Sequence, residues 1–386
     1  MFAYARWPAI DAPMTDKVNS PEYLKKIGVV IACHQSRDEI VRTCRGLLKF
    51  FPPENIIACD NANSPTPLDD TKEVLLQLHP DIKYHYIPEG HKSRALWEGC
   101  HIMSHCEYIM HLDDDTQVPE NFVFDPDIFA DPATSGQSFG IMMFKNNRVE
   151  KWVDMEFKII SQMRYWESIA HTTWFCHGMV GMWRRDRFMN ILSLHPFLPY
   201  GEDNWIGTSN LNAGWQLRQE LRCNIYTYTP PVMCPACDNG RVQGYGASSI
   251  WKQRAYRWFT NQPRRLQHRV MQFIFYDVGH TVGNFIFRIQ MYRHVFTIFY
   301  NMLYPIFVMH VIIYRQFLAF AILKCFMYSI GVLGYGLINY GCWAHRPDIQ
   351  VEFLTVLGMP FYQGWFLQAR PRRPPPPPAP PPPPQR

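Results

Sequence analysis

The constraint that bears hardest on this chain lies in its first 115 residues, where short apolar runs alternate with helix-length segments. The runs are "IGVVIAC" at 27–33, "NIIAC" at 55–59, "IKYHYI" at 82–87 and "YIMHL" at 108–112. Between the first two, "RDEIVRTCRGLLKFF" sets Ile40, Val41, Cys44, Leu47 and Leu48 on one face at helical spacing. "TKEVLLQL" and "SRALWEGCHIM" are the next two helices. Strands alternating with helices predict an α/β fold, with a parallel sheet covered on both faces. Such sheets bind ligands beyond the carboxyl ends of their strands. The polar residues that follow each strand are therefore the first candidates for function.

Asp60 ends the second strand, either as an Asx turn or as a carboxylate that hydrogen-bonds a nucleotide base. Lys92 opens the helix after the third strand, where backbone N–H groups favour an anion, although a solvated surface lysine reads the same. Asp113, Asp114 and Asp115 follow the fourth strand. Alternate strand positions share a face, so Asp113 and Asp115 can converge on Mg²⁺ or Mn²⁺ and a diphosphate; a solvated acidic turn is the alternative. Glu202 and Asp203, in "YGEDNWIG", are either an acidic helix cap or a carboxylate placed to take an acceptor's proton. The stretch "FCHGMVGMWRRDRF", 175–188, reads equally as a strand and turn or as packing. In "SIWKQRAYRWFTNQ", 249–262, Lys252, Arg254 and Arg257 interleave with Trp251, Tyr256 and Trp258, a pattern open to nucleic acid, to a sugar-nucleotide pyrophosphate or to a membrane surface.

The formal net charge of +5 is mild and no long basic run is present, so nucleic acid is not an expected partner. The N-terminal residues lack the apolar core of a signal peptide. Eleven scattered cysteines fit reduced, buried thiols. Cys234 and Cys237 form a lone CxxC without a second pair, so plain thiols are expected ahead of structural zinc.

Beyond Trp258 the composition changes. Residues 263–294 mix Arg and His with large apolar side chains, as interface helices do. The runs 295–313 and 317–340 are long enough to span a hydrocarbon core, and 351–367 is a third span or a re-entrant segment. The arginines before 295 predict an integral membrane protein with a cytosolic catalytic domain in contact with membrane lipids. The proline-rich 368–386 is expected to be an extended tail, with a proline-motif-binding partner left open. The organisation expected is thus an extension 1–25, a catalytic domain 26–262, interface helices 263–294, a transmembrane region 295–367 and the tail 368–386.

Taken in order, strand–Asp60, strand–Asp113-x-Asp115, Gly201-Glu202-Asp203, Arg254-x-x-Arg257-Trp258 and then apolar spans resemble the membrane-bound family-two glycosyltransferases. These are the hyaluronan, chitin and cellulose synthases, with ceramide glucosyltransferase as the second comparison. The resemblance implies a GT-A domain that transfers a sugar from a UDP-sugar donor with inversion, to a growing β-linked polysaccharide or else once to a lipid or short glycan. By it, Asp60, Lys92, Asp113, Arg254 and Arg257 bind the nucleotide sugar, and Asp113 and Asp115 hold Mg²⁺ or Mn²⁺. Asp203 is the catalytic base, and Glu202 and Trp258 lie beside the acceptor. A homo-oligomer stays open. The chain departs from the synthases' Gln-x-x-Arg-Trp in carrying Arg254 at the first position, with Gln253 one residue early.

Overall fold

A computed structural model of the chain describes residues 15–174, 176–196, 201–230, 232–233, 249–250, 254, 282–339 and 347–350. A short helix α1 (Pro21–Leu24) leads into β1 (Ile27–Cys33), α2 (Arg37–Leu47) and β2 (Ile56–Asn61). Next come α3 (Thr71–Leu78), β3 (Lys83–Ile87), α4 (Lys92–Ile102) and β4 (Tyr108–Asp113). The apolar runs thus become strands, and the amphipathic segments between them become helices.

Sheet order is β3-β2-β1-β4-β6-β5-β7, with β6 (Val180–Arg184), β5 (Thr134–Met143) and β7 (Gln216–Thr227) on the far side of β4. Strands β1 to β4 pair in parallel, as expected. The wholly parallel sheet does not hold beyond them: β6 runs antiparallel to both β4 and β5. Both faces are covered. Val29, Ile31, Cys33, Ile56 and Ala58 enter one core cluster, while Val30, Ala32, Ile57 and Cys59 enter the other. This alternation explains why β1 from Ile27 to Cys33 and β2 from Ile56 to Cys59 are apolar throughout.

Strand β5, "TSGQSFGIMM", opens on small and polar residues and is apolar only from Phe139 onward. Gly136 is required there because a Cβ would stand 2.7 Å from the ring of Trp183 and 2.9 Å from Leu217. Within the stretch 175–188 lie β6 and the start of α6 (Arg185–Ser193). The long α5 (Arg148–Ala170) lies against β5 and β7, its start fixed by a capping box between Asn147 and Glu150. Helix α7 (Glu202–Asn212) begins at Gly201, whose φ of 79° lies in the left-handed region that glycine adopts without strain.

The membrane expectation is overturned. Helix α8 runs unbroken from Val282 to Ile313, joining residues expected in an interface helix to those expected in a span, and α9 covers Phe317–Asn339. Among the described residues no helix is long and apolar enough to cross a membrane. The sequence of α8 includes Arg288, Gln290, Arg293, His294, Asn301 and His310, and α9 carries Lys324; such groups are costly in hydrocarbon without partners. Arg293 also turns back onto the α/β body, pairing with the buried Glu167 of α5 at 3.6 Å. The outer faces of the two helices leave Phe296, Leu303, Ile306, Leu318 and Leu337 exposed. The C-terminal end of α9 is tied in by Tyr335 Oη, which donates to the Ile349 carbonyl at 3.0 Å. The segments 263–281, 351–367 and 368–386 lie outside the described residues, as do Cys234 and Cys237.

Candidate active site

The strands β1, β2 and β3 run outward in one direction, and the chain then returns to place β4 on the other side of β1. This is the switch point at which doubly wound sheets open a crevice at the strand carboxyl ends. Backbone register sets the polar residues across it. Asp60 on β2 lies opposite Cys33 on β1, and Ala32 of β1 lies opposite Asp113 of β4.

Asp60 is buried, with 1% of its surface exposed. Its Oδ2 accepts from Tyr84 Oη at 2.8 Å, while Oδ1 is buried with no partner among the described residues. Burial pushes the carboxyl above its ordinary value, and the Tyr84 hydroxyl pulls the other way. A buried acceptor left open at a ligand crevice is suited to an N–H brought in by a ligand. Beside it, His34 Nδ1 lies 2.8 Å from the Asn61 carbonyl and Asn61 Nδ2 donates to the Cys33 carbonyl at 3.1 Å, which together pin the β1 and β2 ends.

The three successive aspartates divide their work. Asp113 forms an ion pair with Lys92 Nζ. Asp114 turns inward: its Oδ2 accepts from Ser36 Oγ and from the His34 amide at 3.2 Å, and Thr43 Oγ1 donates to its carbonyl at 2.6 Å. Asp115 Oδ1 accepts from Thr227 Oγ1 at the end of β7, at 3.2 Å. Burial together with Asp114 and Asp113 raises the Asp115 carboxyl well above the usual carboxylate range. The loop is short of positive charge, and its donors are hard oxygens that suit Mg²⁺ or Mn²⁺. Among the described residues no three His, Cys, Asp or Glu side chains are grouped closely enough to hold an ion on their own. An ion at Asp113 and Asp115 would therefore draw its remaining ligands from a bound diphosphate and water.

Lys92 is the hub of the opposite wall. Besides Asp113 it lies 3.4 Å from Glu202 Oε1 and donates to the Gly178 carbonyl at 2.7 Å. Sequence reasoning set Lys92 toward phosphate; the fold pairs it with two carboxylates. The undecided stretch 175–188 thereby acquires a role. A Cβ on Gly178 would stand 3.2 Å from Asp203 Cβ and 3.3 Å from Glu202 Oε1, so the 176–179 loop passes close beneath the α7 N-terminus. Asp203 Oδ1 accepts from the Asn204 amide at 2.7 Å. Beneath the loop, His111 accepts at Nδ1 from Trp183 Nε1 (3.0 Å), leaving Nε2–H to donate to the His177 carbonyl at 3.2 Å.

Arg254 is paired with a carboxylate of α5. Its guanidinium makes a two-bonded ion pair with Glu156 of α5, at 3.2 and 2.6 Å. Arg257 and Trp258 fall outside the described residues. Sequence reasoning missed Ser36, Thr43, Thr227 and Gly178. Ser36 stood before a helix, where an N-cap is sought; Thr227 had no local signal, because it lies 112 residues from the carboxylate it holds.

No family model matches the chain, and no curated protein matches it. Among solved structures it is similar to a mannosyltransferase of Pyrobaculum calidifontis in complex with GDP-mannose and Mn²⁺. That likeness has 15% identity and a TM-score of 0.51, over 93% of this chain and 88% of the other. It is more distantly similar to S. aureus TarS (9% identity, TM-score 0.43, 71% of this chain and 43% of that one). A third likeness is to GalNAc-T7 with UDP, GalNAc and Mn²⁺ (14%, 0.41, 57% and 48%). The chain thus spans less than half the length of the latter two. The mixed α/β sheet is the GT-A glycosyltransferase fold, an assignment that rests on the first of these likenesses.

Proposed function

We propose that this protein is an inverting hexosyltransferase that takes its sugar from a UDP-sugar donor and passes it to a hydroxyl of a glycan or lipid acceptor. One observation carries the reading: on a GT-A fold, the open buried oxygen of Asp60, the Asp113–Asp115 loop and the α7 carboxylates meet at the switch point of the sheet. Asp60 accepts a base N–H. A divalent cation held by Asp113 and Asp115, when bound, would offset charge developing on the leaving diphosphate. Lys92 pairs with Asp113 and Glu202 and fixes the loop at Gly178. Asp203 takes the acceptor proton as the new bond forms. Arg257 and Trp258 keep the roles that the resemblance implies, a pyrophosphate contact and a ring beside the acceptor.

Extension of a β-linked polysaccharide is the first form of this reaction. Single transfer to a lipid or short glycan is the second, favoured by Arg254 at the position where the synthases carry Gln. Incubating the protein with radiolabelled UDP-sugars and Mn²⁺ or Mg²⁺, then sizing the product, separates the two. Label in long, glycosidase-sensitive chains identifies extension, and label in organic-soluble or small products identifies single transfer. No transfer from any UDP-sugar would refute the proposal. Chelation should remove donor binding together with activity; metal-independent donor binding would count against the Asp113–Asp115 site.

A further inference from the structure

Beside α2 and the segment that follows the Asp113–Asp115 loop lies a cleft of about 370 Å³, within the range of small-molecule sites. One wall is α2, which presents Arg42 and Arg45 at i and i+3 and therefore along a single face, with Lys49 two residues past its end. The facing wall is aromatic: Phe144 and Tyr226 lie 5.5 Å apart, and Phe144 stacks on Tyr228 at 4.5 Å. Lys49 pairs with Glu120 at 2.9 Å, but among the described residues neither Arg42 nor Arg45 has a carboxylate partner. Arg42 is nonetheless held in place, donating to Tyr228 Oη with its guanidinium 5.2 Å from that ring's centre. Gly46 forms part of the lining, and a Cβ there would stand 3.6 Å from the Val118 carbonyl.

We propose that this cleft is a second binding site, for an acidic saccharide. Ring faces pack against the C–H faces of a pyranose, and two guanidinium groups without carboxylate partners among the described residues donate forked hydrogen bonds to its carboxylate, sulfate or phosphate. The site is linked to the carboxylate loop through short paths. Thr43, one residue from Arg42, holds the Asp114 carbonyl, and Gln117 exchanges two backbone hydrogen bonds with Tyr226. Thr227, between the two tyrosines, holds Asp115. The proposal does not rest on the catalytic reading, because its test reads binding.

The test is isothermal titration calorimetry on the full chain. The probes are a hexuronic-acid tetrasaccharide, a sulfated tetrasaccharide, a neutral glucose tetrasaccharide, inorganic phosphate and a dT4 oligonucleotide. At least one acidic tetrasaccharide is expected to bind at least tenfold more tightly than the neutral one and than phosphate, and the better acidic probe identifies the anion. The double variant Arg42→Ala/Arg45→Ala should lose tenfold or more in that affinity while UDP affinity is unchanged. Phe144→Ala should weaken the tetrasaccharide without affecting phosphate. Equal binding of the neutral sugar, phosphate binding as tight as the saccharide, tighter binding of dT4, or a double variant that binds normally would each overturn it.

Discussion

At the scale of single residues, the site depends on which oxygens are already satisfied. Asp60 is held on one oxygen by Tyr84 and open on the other, so Asp60→Ala should raise the donor KM about tenfold or more while altering kcat less, as steady-state kinetics would show. Asp203→Asn should lower kcat about 10³-fold and leave UDP affinity within twofold by calorimetry. Wild-type turnover in that variant would remove Asp203 from the chemistry. A third residue gives a pH signature. Burial holds the His195 imidazole down at about 4 against an ordinary 6.5, with Glu202 pulling upward and His91 pushing downward. Above pH 6.5 both folded and unfolded chains leave it neutral, and its burial contributes in full. As pH falls, the unfolded chain takes the proton first, so stability is lost between 6.5 and about 4, by at most roughly 3 kcal/mol. Urea midpoints taken from pH 7 to 4 should fall less steeply in His195→Gln than in the wild type.

Elements, next, were legible where patterning was local. The strands β1 to β4 and helices α2 to α4 follow directly from apolar runs and helical spacing. Strands β5 and β7 were not legible, because the first half of β5 is built from Thr, Ser, Gly and Gln, and its Gly136 is needed only once Trp183 and Leu217 lie across it. Glycine inside a helix illustrates the same limit. Gly99 of α4 looks like a weak point of about 1 kcal/mol relative to alanine. Yet a Cβ there would overlap Val30 Cγ1 and stand 3.0 Å from Cys59 Sγ, since α4 lies directly on β1 and β2. Gly99→Ala should therefore destabilise by about 1–3 kcal/mol, despite its better helix propensity. A raised urea midpoint would show that α4 can move away from the sheet.

For the whole molecule, the question is what ties the C-terminal helices to the α/β body. Lys158 of α5 is buried, pairs with Asp154 at 2.8 Å and donates to the Gln350 carbonyl at 2.9 Å. Nearby, Asn224 donates to Asp348 at 2.5 Å. Removing the cation leaves the buried Asp154 with only the Met143 amide and Lys145 at 3.7 Å, so Lys158→Met should lower stability by about 2–4 kcal/mol in denaturant titration. Adding Asp154→Leu should recover much of that loss. If the double variant were no more stable than the single one, Lys158 would be acting through packing and its link to Gln350 rather than through charge.

The sequence by itself determined the α/β class, the first four strands and the positions at which Asp60, Asp113–Asp115 and Glu202–Asp203 occur, because these depend on residue periodicity along a short stretch of chain. Tertiary structure alone decided what those side chains face. Lys92 became the partner of two carboxylates, Arg254 of Glu156, and Thr227 of Asp115, through contacts that span 21 to 112 residues of sequence. The apolar C-terminal runs show the same division: their hydrophobicity was legible, but the continuity of α8 with its arginine-bearing start, and the pairing of Arg293 with Glu167, exist only in the folded chain. Local spacing records which face a residue occupies; it does not record which distant segment closes over that face.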